Sequence, residues 1–232
     1  MKECIDYVFC IDGTGSMTSC IEAVKSGIQT ILKETRATFE EYDYSDEFAQ
    51  LRAKIIVFRD FAVHGDRAME ETRFFVIPDE AEAFDTFLNG IKATGEAPLH
   101  GANALEAISL AIKSDWTPKG VGIRSRHCIL VVTDTYPYPL QARAKCPGYP
   151  EGMPADLDEF KALFDGDGVE TSFHCCYSEY RSLIVCAPNG EPWTEMQAWN
   201  SCWHCAVNLE GGLNVEDYFI WGDIGSSIMM RD

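Results

Sequence analysis

Tyr7-Val8-Phe9-Cys10-Ile11-Asp12-Gly13-Thr14-Gly15-Ser16-Met17 decides how the rest of this chain is read. An apolar run breaks off at an aspartate, a glycine-spaced hydroxyl pair follows, and a helical pattern begins at Thr18. Apolar residues at consecutive positions predict a strand covered on both faces. Such a strand delivers the Asp12 carboxylate and the Thr14 and Ser16 hydroxyls into a tight loop at a helix start. A set of oxygens alone suits a hard cation such as Mg²⁺. In open α/β sheets, ligands bind beyond the carboxyl ends of the strands, so this strand end is the first place to look for function.

Moving outward, Ile21, Val24, Ile28, Ile31 and Leu32 share one helical face, and Ser19 with Glu22 offers a capping box; the helix is expected to reach about Phe39. Ala53–Phe58 is a second strand, with Arg59-Asp60 just past its end. Residues 61–72 read as polar loop and Arg73–Ile77 as a short edge strand. Asp79, three residues before Glu82, is the expected N-cap of a helix whose core face is Phe84, Phe87, Leu88 and Ile91. The loop Ala93–Pro98 feeds a helix striped by Ala102, Leu105, Ile108 and Ile112. His127–Val132 is the strongest strand signal, and it ends in Thr133-Asp134.

Residues 136–154 hold five prolines and two glycines without any period. Loops of that length are usually functional or mobile. Beyond them, Ala155–Phe164 reads as helix, Val169–Tyr177 and Leu183–Ala187 as strands, and Trp193–Trp199 as a short helix. Residues 202–214 are ambiguous, and Val215–Met230 reads as a closing helix. This alternation predicts an α/β, Rossmann-like fold: a mostly parallel sheet with one short antiparallel edge strand and helices on both faces. A single domain over residues 1–232 is expected, with its core at about 4–187 and residues 188–232 packed on it as an extension.

Bulk composition narrows the function classes. With 19 basic against 37 acidic residues, the net charge is −18, which repels phosphate backbones and anionic membrane surfaces and excludes nucleic acid and membrane as expected partners. No apolar run approaches the ~18 residues of a membrane helix. Met1-Lys2-Glu3-Cys4 leads straight toward a core strand instead of an export signal. The ten cysteines are therefore expected as reduced thiols, several serving as small hydrophobes, and the expected compartment is cytoplasmic.

Three polar turns fall along one rim in this reading: Asp12, Thr14 and Ser16 in the first, Thr94 in the second, Asp134 in the third. Here the sequence resembles the von Willebrand factor A domain family, whose metal-ion-dependent adhesion site combines a D-x-S/T-x-S loop, a threonine in a later loop and an aspartate after a central strand. Asp-Gly-Thr-Gly-Ser-Met at 12–17 matches the first element, with threonine in place of the commoner first serine, and Val-Val-Thr-Asp at 131–134 matches the last. Thr94 stands in a loop of the right order, with Glu96 and His100 close by in sequence.

The resemblance implies a Mg²⁺ site (Mn²⁺ or Ca²⁺ as substitutes) at Asp12, Thr14, Ser16, Thr94 and Asp134. Hydroxyl ligands would be direct, and the two aspartates would often act through waters. A cation held largely by neutral oxygens keeps positive charge and an exchangeable position, and so attracts a carboxylate from a partner protein. The family also implies work beside another component, such as a chaperone-type ATPase or a signalling complex. Asp60, Glu96, His100, Thr135 and Tyr136 are the candidates for supporting or partner-contact roles. Asp60 either backs the metal loop or pairs with Arg59, and the latter is the favoured reading.

Rival chemistries meet specific obstacles. A haloacid-dehalogenase phosphatase needs an aspartyl nucleophile two residues before Asp12, where Cys10 stands. Actin-like kinases follow Asp-Gly-Thr-Gly with a hairpin, whereas a helix pattern follows here. No Walker A motif or nucleophile elbow is present. Cys202-x-x-Cys205 is one pair where structural zinc usually takes two. The expectation is therefore a metal-dependent protein-interaction module and not an enzyme. The alternative is a metal-dependent enzyme acting on a phosphorylated or acidic small molecule at the same rim, with Glu96, His100 or Asp60 as base.

Overall fold

The computed structural model describes residues 2–41, 48–95 and 101–206. Its chain order is β1 (Lys2–Asp12), α1 (Ile21–Glu41), β2 (Phe48–Phe58), α2 (Phe61–His64), β3 (Met69–Glu71), β4 (Phe75–Ile77), α3 (Ala81–Gly90), α4 (Ala104–Ile112), β5 (Ile123–Val132), α5 (Leu157–Asp165), β6 (Arg181–Ala187), α6 (Trp193–Met196) and β7 (Cys202–Ala206). The strands form one sheet in the order β3-β2-β1-β5-β6-β7, with β4 also paired to β2. β2, β1, β5, β6 and β7 run parallel. The architecture is the expected α/β, Rossmann-like one.

The alternation of side chains along β1 explains why its stretch Tyr7–Ile11 is apolar throughout. Ile5, Tyr7, Phe9 and Ile11 pack with Val24, Ile28 and Ile31 of α1 and with Phe84 and Leu88 of α3. Val8 and Cys10 enter the opposite core with Leu105, Ile108 and Ile112 of α4 and with Phe160 and Trp193. Both faces are buried, which favours apolar side chains on each; the buried Asp6 is paired with Arg52 at 2.7 Å. The chain moves from β1 to β2 on one side and reaches β5 on the other. A crevice therefore opens beyond the carboxyl ends of β1 and β5, where strand order reverses.

Several local expectations need correction. The short antiparallel edge strand is present as β4, and the segment 61–72 read as loop adds α2 and a further antiparallel pairing, β3 to β2. Main-chain pairing forms β3, and its polar Met-Glu-Glu side chains gave no signal. The first helix is entered through a 3₁₀ turn, Gly15–Ser19, and Glu22 pairs with Lys25 at 2.7 Å where a capping box was expected. Glu80, one residue later than Asp79, occupies the N-cap of α3.

Val169–Tyr177 is not a strand. Thr171 caps a 3₁₀ turn, Ser172–Cys175, by accepting from the Phe173 amide, while its own amide donates to His174 Nδ1. Phe173 then points into a ring cluster with Trp116 and Phe164, so its burial mimicked strand spacing. The sheet also runs past residue 187, because β7 adds a strand beside β6. Trp193 and Met196 join the core from the segment expected as an appended extension.

β7 bears on zinc as well. Cys202 belongs to the core under α4 and α5, while Cys205 packs against the α1 side. Three residues apart on a strand, the two thiols face opposite sides of the sheet and cannot share an ion. The expected helix Val215–Met230 lies outside the described residues. No helix among the described residues is long and apolar enough to cross a membrane.

Candidate functional site

β1 and β5 lie side by side with Ile11 opposite Val132, which brings Asp12 level with Thr133 where both strands end. Asp12 is fully buried. Its Oδ1 accepts from the Thr14 amide at 2.8 Å and from the Thr14 hydroxyl at 2.7 Å. Its Oδ2 accepts from the Thr133 hydroxyl at 2.6 Å. Thr14 Oγ1 lies 3.0 Å from Ser16 Oγ, and Ser16 Oγ donates to Asp134 Oδ1 at 2.9 Å. Four of the five residues predicted to hold a metal thus form one continuous chain of oxygens.

The fifth, Thr94, is brought in by main chain. Its amide donates to the Gly13 carbonyl at 3.0 Å, and it bridges Thr14 as a strand neighbour would. The three separated turns meet at one edge of the sheet. Gly13 makes the approach possible. A Cβ there would stand 2.7 Å from Val57 Cγ1 and 2.9 Å from Arg59 Nε, closer than real side chains come. Next to Thr94, Gly95 has φ +90°, and a Cβ on it would meet His64 Nε2 at 2.6 Å.

The electrostatics of this cluster are unbalanced. Burial pushes the Asp12 carboxyl up to about 6 against the pull of its hydroxyl and amide donors, with the Asp134 charge adding to the rise. Burial also raises Asp134, opposed by the Ser16 hydroxyl. Among the described residues no Lys, Arg or His forms an ion pair with either carboxylate. Proton counting sharpens the point. With both acids ionised, the two hydroxyl hydrogens serve two of three close contacts, Thr14 to Asp12 and Ser16 to Asp134. The Thr14–Ser16 contact is then left with lone pairs facing each other. Hydroxyl and carboxylate oxygens are the donors a hard divalent cation takes. The residues therefore fit Mg²⁺.

The flanking candidates have other work. The favoured Arg59–Asp60 ion pair does not form. Arg59 pairs with Glu70 at 2.5 Å and donates from Nε to the Gly13 carbonyl at 3.1 Å. Asp60 caps α2 through the Ala62 amide at 2.8 Å and accepts from Arg143 Nε at 2.8 Å and Tyr138 Oη at 3.0 Å. Adjacent residues in extended chain point to opposite sides, so Arg59 buttresses the loop after β1 through the Gly13 carbonyl while Asp60 anchors the long loop after β5. Despite desolvation, those donors hold Asp60 below the usual carboxylate range.

Thr135 accepts from Trp193 Nε1 through its carbonyl at 3.4 Å. Tyr136, exposed, donates to the Asn189 carbonyl at 3.1 Å. Glu96 and His100 lie outside the described residues. Sequence reasoning assigned no role to Thr133 or to the loop-clamping side of Arg59. The one available signal was the position of each at a strand end.

No protein-family model and no curated protein matches the chain in sequence. Its fold is similar to solved structures of the pilus adhesin SpaC from Lactobacillus rhamnosus GG. One matches with TM-score 0.61 and 10% identity over 99% of this chain and 31% of the adhesin. The open conformation matches with TM-score 0.59 and 12% identity over 99% and 30%. This chain spans about a third of the adhesin's length, and at such identities the likeness establishes the fold alone. Together with the topology, it defines a mixed α/β protein with a Rossmann-like sheet.

Proposed function

We propose that this chain is a von Willebrand factor A-type domain that holds a divalent cation, Mg²⁺ foremost, at Asp12, Thr14, Ser16, Thr94 and Asp134, and that it binds an acidic residue of a partner protein there. The observation that carries this reading is the charge balance at the switch point: two carboxylates, a hydroxyl donating to each, and, among the described residues, no basic side chain in an ion pair with either acid. Neutral Thr14 and Ser16 oxygens are the direct ligands, and Thr133 holds Asp12 in position. Arg59 fixes the loop through the Gly13 carbonyl. A bound cation would supply net positive charge and an exchangeable position to a partner's carboxylate. In this reading the chain acts by binding and not by turnover. The same proposal places the chain in a reducing, cytoplasmic setting, where its ten cysteines would stay reduced.

The test is Mg²⁺ titration of the protein and of Asp12→Ala and Asp134→Ala, followed by calorimetry. Wild type is expected to bind one ion and each variant to lose at least about tenfold in affinity. Unchanged affinity in both variants would refute the site. A pull-down with and without chelator separates adhesion, in which a specific partner is released, from metal-dependent turnover without any partner, which would overturn the reading.

A further inference from the structure

Beside the rim lies a cavity of about 470 Å³ lined by Arg59, Arg67, Lys92, His64 and Glu70, with Phe87 as an apolar wall. Its charge runs against that of the molecule. In a chain of net charge −18, three guanidinium or ammonium groups face one carboxylate. Glu70 is already paired with Arg59. Arg67 and Lys92 are exposed and form no ion pair among the described residues.

The backbone that carries those two cations is held in place. Arg59 is 6% exposed and bonds the main chain of two other lining residues. Its Nη1 donates to the Arg67 carbonyl at 3.0 Å and its Nη2 to the Lys92 carbonyl at 3.5 Å. The same guanidinium reaches the metal loop through Gly13. One buried arginine thus fixes, relative to the rim, the two backbone segments from which the free cations project. Thr94 belongs to both places, since it bridges Thr14 and lines the cavity.

We infer that this cavity is a second anion subsite, in which Arg67 and Lys92 take a further carboxylate of the same acidic partner segment that presents its first carboxylate at the rim. The inference rests on the proposed function for the acidity of the partner and adds what the partner must look like: an acidic peptide stretch with at least two carboxylates, not a lone Glu or Asp. An isolated carboxylate would meet the −18 field with one favourable contact. A second contact offsets that repulsion and gives the segment a direction across the surface.

The experiment uses the full chain and a fluorescein-labelled oligoglutamate peptide followed by polarisation, in Mg²⁺ and in EDTA. The comparison protein is Arg67→Ser/Lys92→Ser. Both positions are exposed, so the fold is retained, and Mg²⁺ affinity is measured alongside. Wild type in Mg²⁺ is expected to bind the peptide, and the double variant to bind it roughly tenfold more weakly with Mg²⁺ affinity unchanged. Equal peptide affinity in both proteins overturns the subsite and leaves the cation reading standing. Weakening in the variant with no effect of EDTA sustains the subsite and removes the cation from recognition. Absence of peptide binding to wild type overturns the subsite.

Discussion

The Thr133 hydroxyl lies 2.6 Å from Asp12 Oδ2, and its hydrogen is what fixes the carboxylate plane against the loop. Thr133→Val keeps the shape and removes the donor. It is expected to weaken Mg²⁺ binding by about tenfold while costing about 1 kcal/mol in stability, measured by calorimetry and urea unfolding. Loss of the fold would instead make Thr133 a structural residue. Asp12 and the hydroxyl pair were legible in the sequence because an apolar run ending in Asp-Gly-Thr-Gly-Ser is local information. Thr133 was not, because what its hydroxyl touches depends on which strand lies alongside.

Glu106 shows the same limit. It sits on α4, fully buried, with Oε1 accepting from Tyr149 at 2.9 Å and Oε2 without a partner among the described residues. Burial raises its carboxyl above the ordinary 4.5. The native state therefore holds this proton more tightly than the unfolded chain, and ionisation costs stability. That penalty is absent below about pH 4.5 and grows as pH rises through the higher native value. Glu106→Gln is expected to gain stability over wild type across that rise, and unfolding midpoints taken at stepped pH would show a widening gap. A constant gap would mean the carboxyl is not perturbed.

Among elements, the loop from Tyr136 to Pro154 is the one whose role changed most between sequence and structure. It has no period, yet it is pegged to two buried carboxylates: Asp60 through Arg143 and Tyr138, and Glu106 through Tyr149. Gln141 adds bonds to the Met153 and Pro154 carbonyls at 2.9 and 3.0 Å. Arg143→Ala leaves Asp60 buried with its charge less satisfied and is expected to cost roughly 1–2 kcal/mol. It should also open the loop to limited proteolysis and leave Mg²⁺ affinity unchanged. A fall in Mg²⁺ affinity would instead tie the loop to the rim.

The tyrosines and prolines of this segment were visible in the sequence as a long connection, but their partners were not. α4 illustrates the converse. Leu105, Ile108 and Ile112 of its expected stripe are buried on the helix, Ala102 is buried before it in a bridge to Pro137, and Ala104, Ala107, Ser109 and Ala111 are buried too, because the helix is covered on its outer side as well as by the sheet. Small residues on that second side carried the information, and a single-stripe reading passes over them.

For the molecule as a whole, strand order alone assembles the rim: no local signal places residue 134 beside residue 16, and alternation with right-handed crossovers does. A −18 chain that gains a divalent cation at its switch point should be stabilised by mass action. About 2.7 kcal/mol is expected when free Mg²⁺ is 100 times its dissociation constant, read as a melting midpoint that keeps climbing with the logarithm of Mg²⁺. NaCl at matched ionic strength separates binding from screening of the net charge. An identical rise in NaCl would remove the specific site.

β3 and β4 have one further consequence. Each is three residues long, and both pair with β2 in succession, so that flank presents two short stubs in place of a continuous ribbon. Another extended chain finds too few free main-chain groups in a row to dock there, which guards the flank against fibril-like self-addition. A ligand that prefers to join a sheet as an extra strand is thereby turned away from the border nearest the basic cavity, and whatever engages this molecule on that side must do so through side chains.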